Sequence, residues 1–428
     1  MKNSKWMVVL VLLFSIFSFV PTGRVNAQEP VQIEFWYGLG SEAGQKMEEL
    51  IKEFNESQSE VKVVGVAQAD YSETMQKVQA GMAANKVPGA FIGERDTMLN
   101  FVKSDALAEI TPLIGDSEVF NEEDFVESFY QQGQVDGKQF SVPSYGTTQV
   151  MYFNTKVFEE AGVNPDEAFK SWENLAEASK KIKESGAADF GHMIMWGADN
   201  LSDLALSNGG SFLSEDGKTV LINSPEWVEA WEFARKMIHE EKSMGVISGG
   251  QGWEYWYKTI DAVMAGQSAS YTGSSGDKGN LDFSYIDSRV QPGLNENDPK
   301  PVAEALQMMI PKQNDEAHQK AAFKWIEFFT SPEVSGRWSS FVGYIPVRKA
   351  TMEEGEYAEQ VEENPYLGIP YQQALQASSP FDDPTGGVIL DELTKAADKV
   401  ELENVPAQEA LDAAAKKSQE ALDKALKN

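Results

Sequence analysis

The sequence predicts an α/β protein of two lobes, from three observations. Apolar runs of strand period alternate with runs of helical period after residue 30, the pattern of βαβ units around a parallel sheet. The 428 residues suit two globular domains, and 42% hydrophobic with 11% aromatic residues can fill both cores. No internal repeat or low-complexity linker separates two halves, so the chain is expected to cross between the lobes more than once.

In Val31–Tyr37, Ile33, Phe35 and Tyr37 alternate with Gln32, Glu34 and Trp36, which predicts a strand. Gly38-Leu39-Gly40-Ser41 turns the chain into a helix over 42–55, with Met47, Leu50, Ile51 and Phe54 at helical spacing. A strand over 61–67 and a helix over 71–84 follow; Pro88-Gly89 breaks the chain before a short buried strand, 90–92. Residues 140–154 hold two apolar runs separated by the polar segment 144–149. Helices are expected at 156–161, 171–185, 225–242, 315–330 and 407–426, with glycine-rich loops at 249–252 and 273–276. Trp172, Trp231 and Trp325 fall at core spacing in three of these helices.

The first 27 residues read as a signal peptide. Lys2 and Lys5 supply the positive end, Trp6 to Val20 is apolar apart from two serines, and Val25-Asn26-Ala27 offers the small residues of a cleavage site. The apolar stretch is shorter than the roughly 20 residues of a membrane-spanning helix. Cleavage after Ala27 removes Lys2, Lys5 and Arg24 and takes the formal charge from −31 to −34. A lipoprotein needs cysteine at the first mature position; here it is Gln28, so a soluble periplasmic protein without lipid anchor is expected.

Composition narrows the function. With no cysteine there are no disulfides, thiol nucleophiles, iron–sulfur clusters or cysteine-held zinc. His192, His239 and His318 lie too far apart in sequence for ligand spacing and read as ordinary surface or partly packed residues. The negative charge offers no basic face to displace counterions from nucleic acid. Gly38, Gly40 and Gly44 follow a strand and open a helix, but GxGxxxG is not the dinucleotide spacing, and a plain strand-to-helix turn is the better reading. No P-loop, GxSxG, HExxH or EF-hand spacing occurs, and neither cofactor nor metal is expected. Paired carboxylates of a glycoside hydrolase have no sequence signature, so that class stays open. The abundant feature is aromatic: 10 Trp, 13 Tyr and 23 Phe, with Tyr37, Tyr71, Tyr145, Trp196, Trp253, Tyr271 and Tyr344 near turns. Aromatic faces beside hydroxyls and carboxylates are how a protein holds a polyol in water.

Several segments, in combination and order, resemble the family 1 extracellular solute-binding proteins of ABC importers, and within them the glycerol-3-phosphate-binding branch. They are Phe35-Trp36-Tyr37, Val142-Pro143, 150–154 with Phe158 and Ala161-Gly162, 171–175, Phe328-Phe329 with Ser331-Pro332-Glu333, and 343–347. The resemblance covers nearly the whole chain after residue 27. It implies two α/β lobes, the periplasmic-binding-protein fold, joined by crossing hinge strands and closing over ligand like a clamshell. Residues 28–144 and 303–343 then form the N-terminal lobe, and 145–302 and 344–428 the C-terminal lobe. Crossings are expected near 143–147, 301–305 and 343–346. The branch's ligand residues carry over to Tyr71, Glu94, Thr147, Trp196, Ser274, Ser275, Gly276 and Tyr344; Tyr37, Tyr145 and Trp253 join them as candidate ligand-facing aromatics.

Two departures shift the expected ligand. The branch has Gly-Gly at the second crossing, where this chain reads Pro301-Val302-Ala303. Its phosphate-binding arginine falls where this chain reads Ser378-Ser379-Pro380-Phe381-Asp382-Asp383. Carboxylates repel a phosphate but accept hydroxyls, so Asp382 and Asp383 are candidate partners of a neutral sugar or polyol, with a solvated loop as the plain alternative. The reading that follows is a monomeric binding protein that delivers a small carbohydrate or polyol to a membrane permease, with no reaction at the ligand. A second reading keeps glycerol 3-phosphate or a glycerophosphodiester and needs Arg95, Arg348 or Lys349 at the site. A third is a secreted glycoside hydrolase.

Overall fold

The computed structural model describes residues 29–427, so the signal-peptide segment and Gln28 lie outside the described residues. Alternation in β1 (Val31–Tyr37) buries Ile33, Phe35 and Tyr37, and α1 (Ser41–Ser57) lays Met47, Leu50, Ile51 and Phe54 over them. β2 (Val61–Ala67), α2 (Tyr71–Ala83), β3 (Ala90–Gly93) and α3 (Arg95–Lys103) continue the winding. β1 lies between β2 and β3 and is parallel to both, as alternating strands and helices require. The N-terminus of α2 is fastened by two carboxylates. Asp70 accepts from the Glu73 N–H at 2.7 Å, and Glu73 accepts from the Ala69 N–H at 2.6 Å. That pins Tyr71, the first residue of α2, in place.

Where the sequence suggested two apolar runs with a polar break, one strand runs unbroken from Ser141 to Asn154. Its first half pairs antiparallel with the return strand Ala303–Met309, which itself pairs with β3. Its second half pairs with Ser270–Ser274 and Ile286–Arg289. A single nine-stranded sheet therefore runs through both lobes. The polar break does not interrupt the strand because its backbone groups are still bonded on both edges. Proline has no N–H for a ladder, and Pro143 sits where the register slips opposite Leu306 and Gln307, with Ser144 Oγ donating to the Leu306 carbonyl at 2.7 Å. Two further contacts tie the crossing together: Gly146 and Ile345 exchange backbone hydrogen bonds of 2.7 and 2.8 Å, and Val302 bridges to Ser378.

Each lobe has its own core. On one side Phe35, Phe54, Trp325, Phe329 and Trp338 pack edge to face under the first strands. On the other, Trp172, Trp227 and Trp231 pack with Leu393 and Leu411 of the helices Val388–Glu401 and Ala407–Ala425. Trp172, Trp231 and Trp325 are at most 1% exposed, matching their core spacing. His192 departs from expectation: it is fully buried, bonded to Ser270 and Thr272 at 2.9 and 3.0 Å, which satisfies both ring nitrogens without charge. Among the described residues no helix is long and apolar enough to cross a membrane.

The helix Pro332–Val342 ends on Gly343 at φ +98°, and a Cβ there would stand 2.2 Å from the Ser275 carbonyl oxygen. Gly343 thus lets the segment that follows it lie against the Ser274–Gly276 turn. Gly343→Ala is expected to destabilise the protein by about 1–3 kcal/mol from the backbone conformation alone, with the clash adding to that. A urea melt checks this; an unchanged midpoint would show that the turn and that segment are not packed as described.

Candidate ligand cleft

Between the lobes lie two adjoining cavities of about 220 and 150 Å³ that share Glu94, Thr147, Gln149, Asp199 and Glu304. These five come from four parts of the fold. Glu94 precedes α3, Thr147 and Gln149 sit on the shared strand, and Glu304 is on the return strand. Asp199 is in the first turn of the helix Ala198–Leu206 of the second lobe. The smaller cavity has an aromatic wall of Tyr71, Trp253, Trp256 and Tyr344. The larger extends toward Phe212, Phe381 and Ser202.

The wall is held rigidly. Tyr71 Oη and Tyr145 Oη are 3.0 Å apart, and the Tyr145 ring stacks on Tyr344 with centroids 4.4 Å apart. Gly276 is required beneath Tyr344, since a Cβ there would come within 2.2 Å of its ring. Ser274 Oγ accepts from the Gly276 N–H at 3.1 Å and lies 3.2 Å from Thr147 Oγ1, joining the turn to the shared strand. Trp253 Nε1 donates to the Gly38 carbonyl at 3.2 Å across the cleft, and its ring meets Tyr71 edge-on. Asn280 accepts from Ser41 at 2.6 Å on the same side. The glycines of the GxGxxxG run serve this approach: a Cβ on Gly38 would meet the Asp70 backbone at 2.2 Å, and one on Gly40 the Tyr257 hydroxyl at 2.9 Å. On the opposite side Arg95 holds Asp382 by two contacts of 2.6 and 3.0 Å.

Of the residues singled out in the sequence, Tyr71, Glu94, Thr147, Trp253, Ser274, Gly276 and Tyr344 line the cavities. Six others do not. Tyr37 is buried in the first core and donates to Glu48, because its alternation places it on the sheet's inner face. Tyr145 lies a layer behind Tyr71 and Tyr344, and Ser275 points into the protein. Trp196 donates to Asp398 at 2.7 Å and stands edge-on behind Tyr255. Asp382 is taken by Arg95. Asp383 accepts from the Thr385 and Ile389 N–H groups at 2.8 Å each, so its carboxylate shapes the loop before the helix at Val388 instead of facing a ligand. Residues missed from the sequence are Asp199, Gln149, Tyr255, Trp256, Tyr257 and Glu304. Glu304 did carry a signal, as the one charged residue in a largely apolar strand; Asp199 carried none.

The electrostatics are lopsided. Asp203 accepts from Gln291 and the Val302 N–H at 2.7 and 2.8 Å, and Asp277 from Trp256 and Tyr271 at 2.7 and 3.1 Å. Burial still pushes both carboxyls up to about 7. Glu94, Asp199 and Glu304 have no side-chain hydrogen bond or ion pair among the described residues. Burial raises all three, and the Glu304 charge raises Glu94 further. Asp199 is open to the cleft's solvent, yet protein surrounds it closely enough to disfavour its charge. Among the described residues Arg95 is the one cation in the lining, and Asp382 and the Gln132 carbonyl already occupy it. Arg348 is buried against Asp124 at 2.7 Å and Lys349 donates to the Glu123 carbonyl, so neither reaches the cleft.

Residues 49–365 match the family described as bacterial extracellular solute-binding protein. The sn-glycerol-3-phosphate-binding periplasmic protein UgpB of Rhizobium meliloti is 28% identical, covering 97% of this chain and all of its own. UgpB of an Escherichia coli O6:K15:H31 strain is 25% identical over 82% of each chain. Among solved structures, Mycobacterium tuberculosis UgpB in complex with glycerophosphocholine superposes with a TM-score of 0.81 at 22% identity, covering 93% of this chain and 99% of that one. The Streptomyces glaucescens GacH receptor, solved unliganded and with acarbose, also gives 0.81, at 16% identity over 92% and 99%. At these identities the structural likeness shows the two-lobed fold.

The raised carboxyls set a pH dependence. The folded cleft keeps protons that the unfolded chain has already released near pH 4, so their stabilisation is present below that range and lost as pH rises through about 7. His192, pushed down to about 3 by burial, acts oppositely, but only below its ordinary value of 6.5. Between pH 6.5 and 8 the melting temperature of the ligand-free protein is therefore expected to fall by several degrees, and Glu304→Gln is expected to flatten the fall. A flat or rising wild-type profile by calorimetry would contradict the assigned shifts.

Proposed function

The chain belongs to the bacterial extracellular solute-binding proteins, and we propose that it captures a small hydroxyl-rich solute, a sugar or polyol without phosphate, between its lobes. The observation that carries this reading is the cleft lining: an aromatic wall and, among the described residues, three carboxylates without partners and one cation that is already paired. Aromatic faces cover the C–H surfaces of a sugar ring while carboxylates accept its hydroxyls. Thr147 and Ser274 add hydroxyls on the floor. The assigned ligand contacts are Tyr71, Glu94, Thr147, Trp253, Ser274, Gly276 and Tyr344, joined by Gln149, Asp199 and Glu304. No reaction at the ligand is needed. The contacts that span the cleft, Trp253 to Gly38 and Arg95 to Asp382, support lobe closure as the step that encloses it.

In this reading the protein is exported with its signal peptide cleaved after Ala27, works as a soluble monomer in the periplasm, and passes its cargo to the membrane permease of an ABC importer. The UgpB relatives favour a second reading, with glycerol 3-phosphate or a glycerophosphodiester as ligand. A phosphate would then have to draw Arg95 away from Asp382 and sit among carboxylates, which opposes it.

A thermal-shift panel of glucose, maltose, glycerol, glycerol 3-phosphate and glycerophosphocholine separates the two, because ligand raises apparent stability by mass action. The neutral members are expected to raise the melting temperature, and Trp253→Ala to weaken the best of them by about tenfold or more, a loss of one aromatic contact. Stabilisation by the phosphate esters alone would overturn the neutral-ligand reading in favour of the second.

A further inference from the structure

The three partnerless carboxylates go further than the capture of hydroxyls. We propose that the solute carries a protonated nitrogen, as an amino sugar or amino polyol does, seated between Glu94, Asp199 and Glu304. This rests on the sugar-or-polyol reading and narrows it.

Burial disfavours the charge of all three groups; a neutral sugar leaves that cost in place, whereas a cation seated among them offsets it and lets them ionise. Carboxylates elsewhere in the cleft are settled by the protein itself: Asp203 by Gln291 and the Val302 N–H, Asp277 by Trp256 and Tyr271. Only the three that border both cavities are left without partners among the described residues, and they come from both lobes and the crossing between them. Arg95 stands next to Glu94 in the chain, yet its guanidinium is turned to Asp382.

A bound metal ion is not the counter-charge the geometry offers, because among the described residues no three carboxyl or histidine side chains converge closely enough to hold one. An ammonium needs no closed shell of ligands. It carries its own charge, donates up to three hydrogen bonds in different directions, and sits on a molecule large enough to span the cavity. The aromatic wall adds to this preference, since the faces of Trp and Tyr attract a cation as well as a sugar's C–H surface.

Matched pairs that differ only in the nitrogen test the proposal: glucosamine against glucose and N-acetylglucosamine, and 3-amino-1,2-propanediol against glycerol. Titration calorimetry at pH 7 is run on the full mature chain in two buffers of different ionisation enthalpy. The amines are expected to bind at least tenfold more tightly than their neutral counterparts. Their binding is also expected to release protons from the cleft, and that of the neutral members not to. Glu304→Gln is expected to shrink the amine-to-neutral ratio, and Asp199→Asn serves as a second variant should the first fail to fold. Neutral members that bind as tightly as the amines would overturn the amine proposal and leave the sugar reading standing. Binding confined to glycerol 3-phosphate and glycerophosphocholine, run alongside, would overturn that reading as well, and so would a panel in which nothing binds.

Discussion

The backbone pairing of one strand, Ser141–Asn154, organises the rest of the molecule. Its first half is bonded to the return strand of one lobe and its second half to the strands of the other, so both lobes are referenced to one ladder. Thr147 and Gln149 fall at the changeover, Glu304 stands opposite Thr147 on the return strand, and Ser274 pairs opposite Gln149. A buried strand must satisfy its N–H and C=O groups on both edges. That requirement, more than any side-chain preference, delivers these four residues to one place.

Around that ladder the protein separates two kinds of carboxylate. On the surface, acidic residues find lysines, as Asp105 does with Lys312 and Glu316 with Lys320; such exposed pairs contribute little. In the cleft the acidic groups are crowded, partly desolvated and short of cations. Leaving buried charge without a partner costs folding free energy, and functional sites are where such a cost is tolerated, because a ligand can repay it on binding. The Tyr145–Tyr344 stack, with Tyr71 joined to it through its hydroxyl, keeps the opposite wall in place, so little side-chain ordering remains to be done when ligand enters.

Much of the fold was readable in the periodicity, and particular elements show why. β1 and β2 begin and end where their alternation does, and the helix carrying Trp325 buries the face its spacing marks. The run 140–154 reads as two apolar runs divided by polar residues; the partners that make it one strand lie 127 to 162 residues away, at Ser274, Val302 and Leu306, beyond any local pattern. The site divides in the same way. Tyr71 sits at a helix start marked by Asp70 and Glu73, and Gly276 in a glycine-rich turn, both visible in the chain. Asp199 and Trp256 look like any acidic or aromatic residue on a helix. Asp382 and Asp383 looked available only because their partners, Arg95 and the helix N-terminus at Val388–Ile389, could not be seen.

The sequence by itself therefore determined the α/β class, the first strands and several of the longer helices, the core tryptophans and the general character of the cleft as aromatic and acidic. These follow from local period and composition, which a chain carries in order. Tertiary structure alone decided which acidic groups are spent on the protein and which are left for a ligand. A carboxylate's role depends on what lies within hydrogen-bonding distance in space, and Arg95 meets Asp382 across 287 residues of chain.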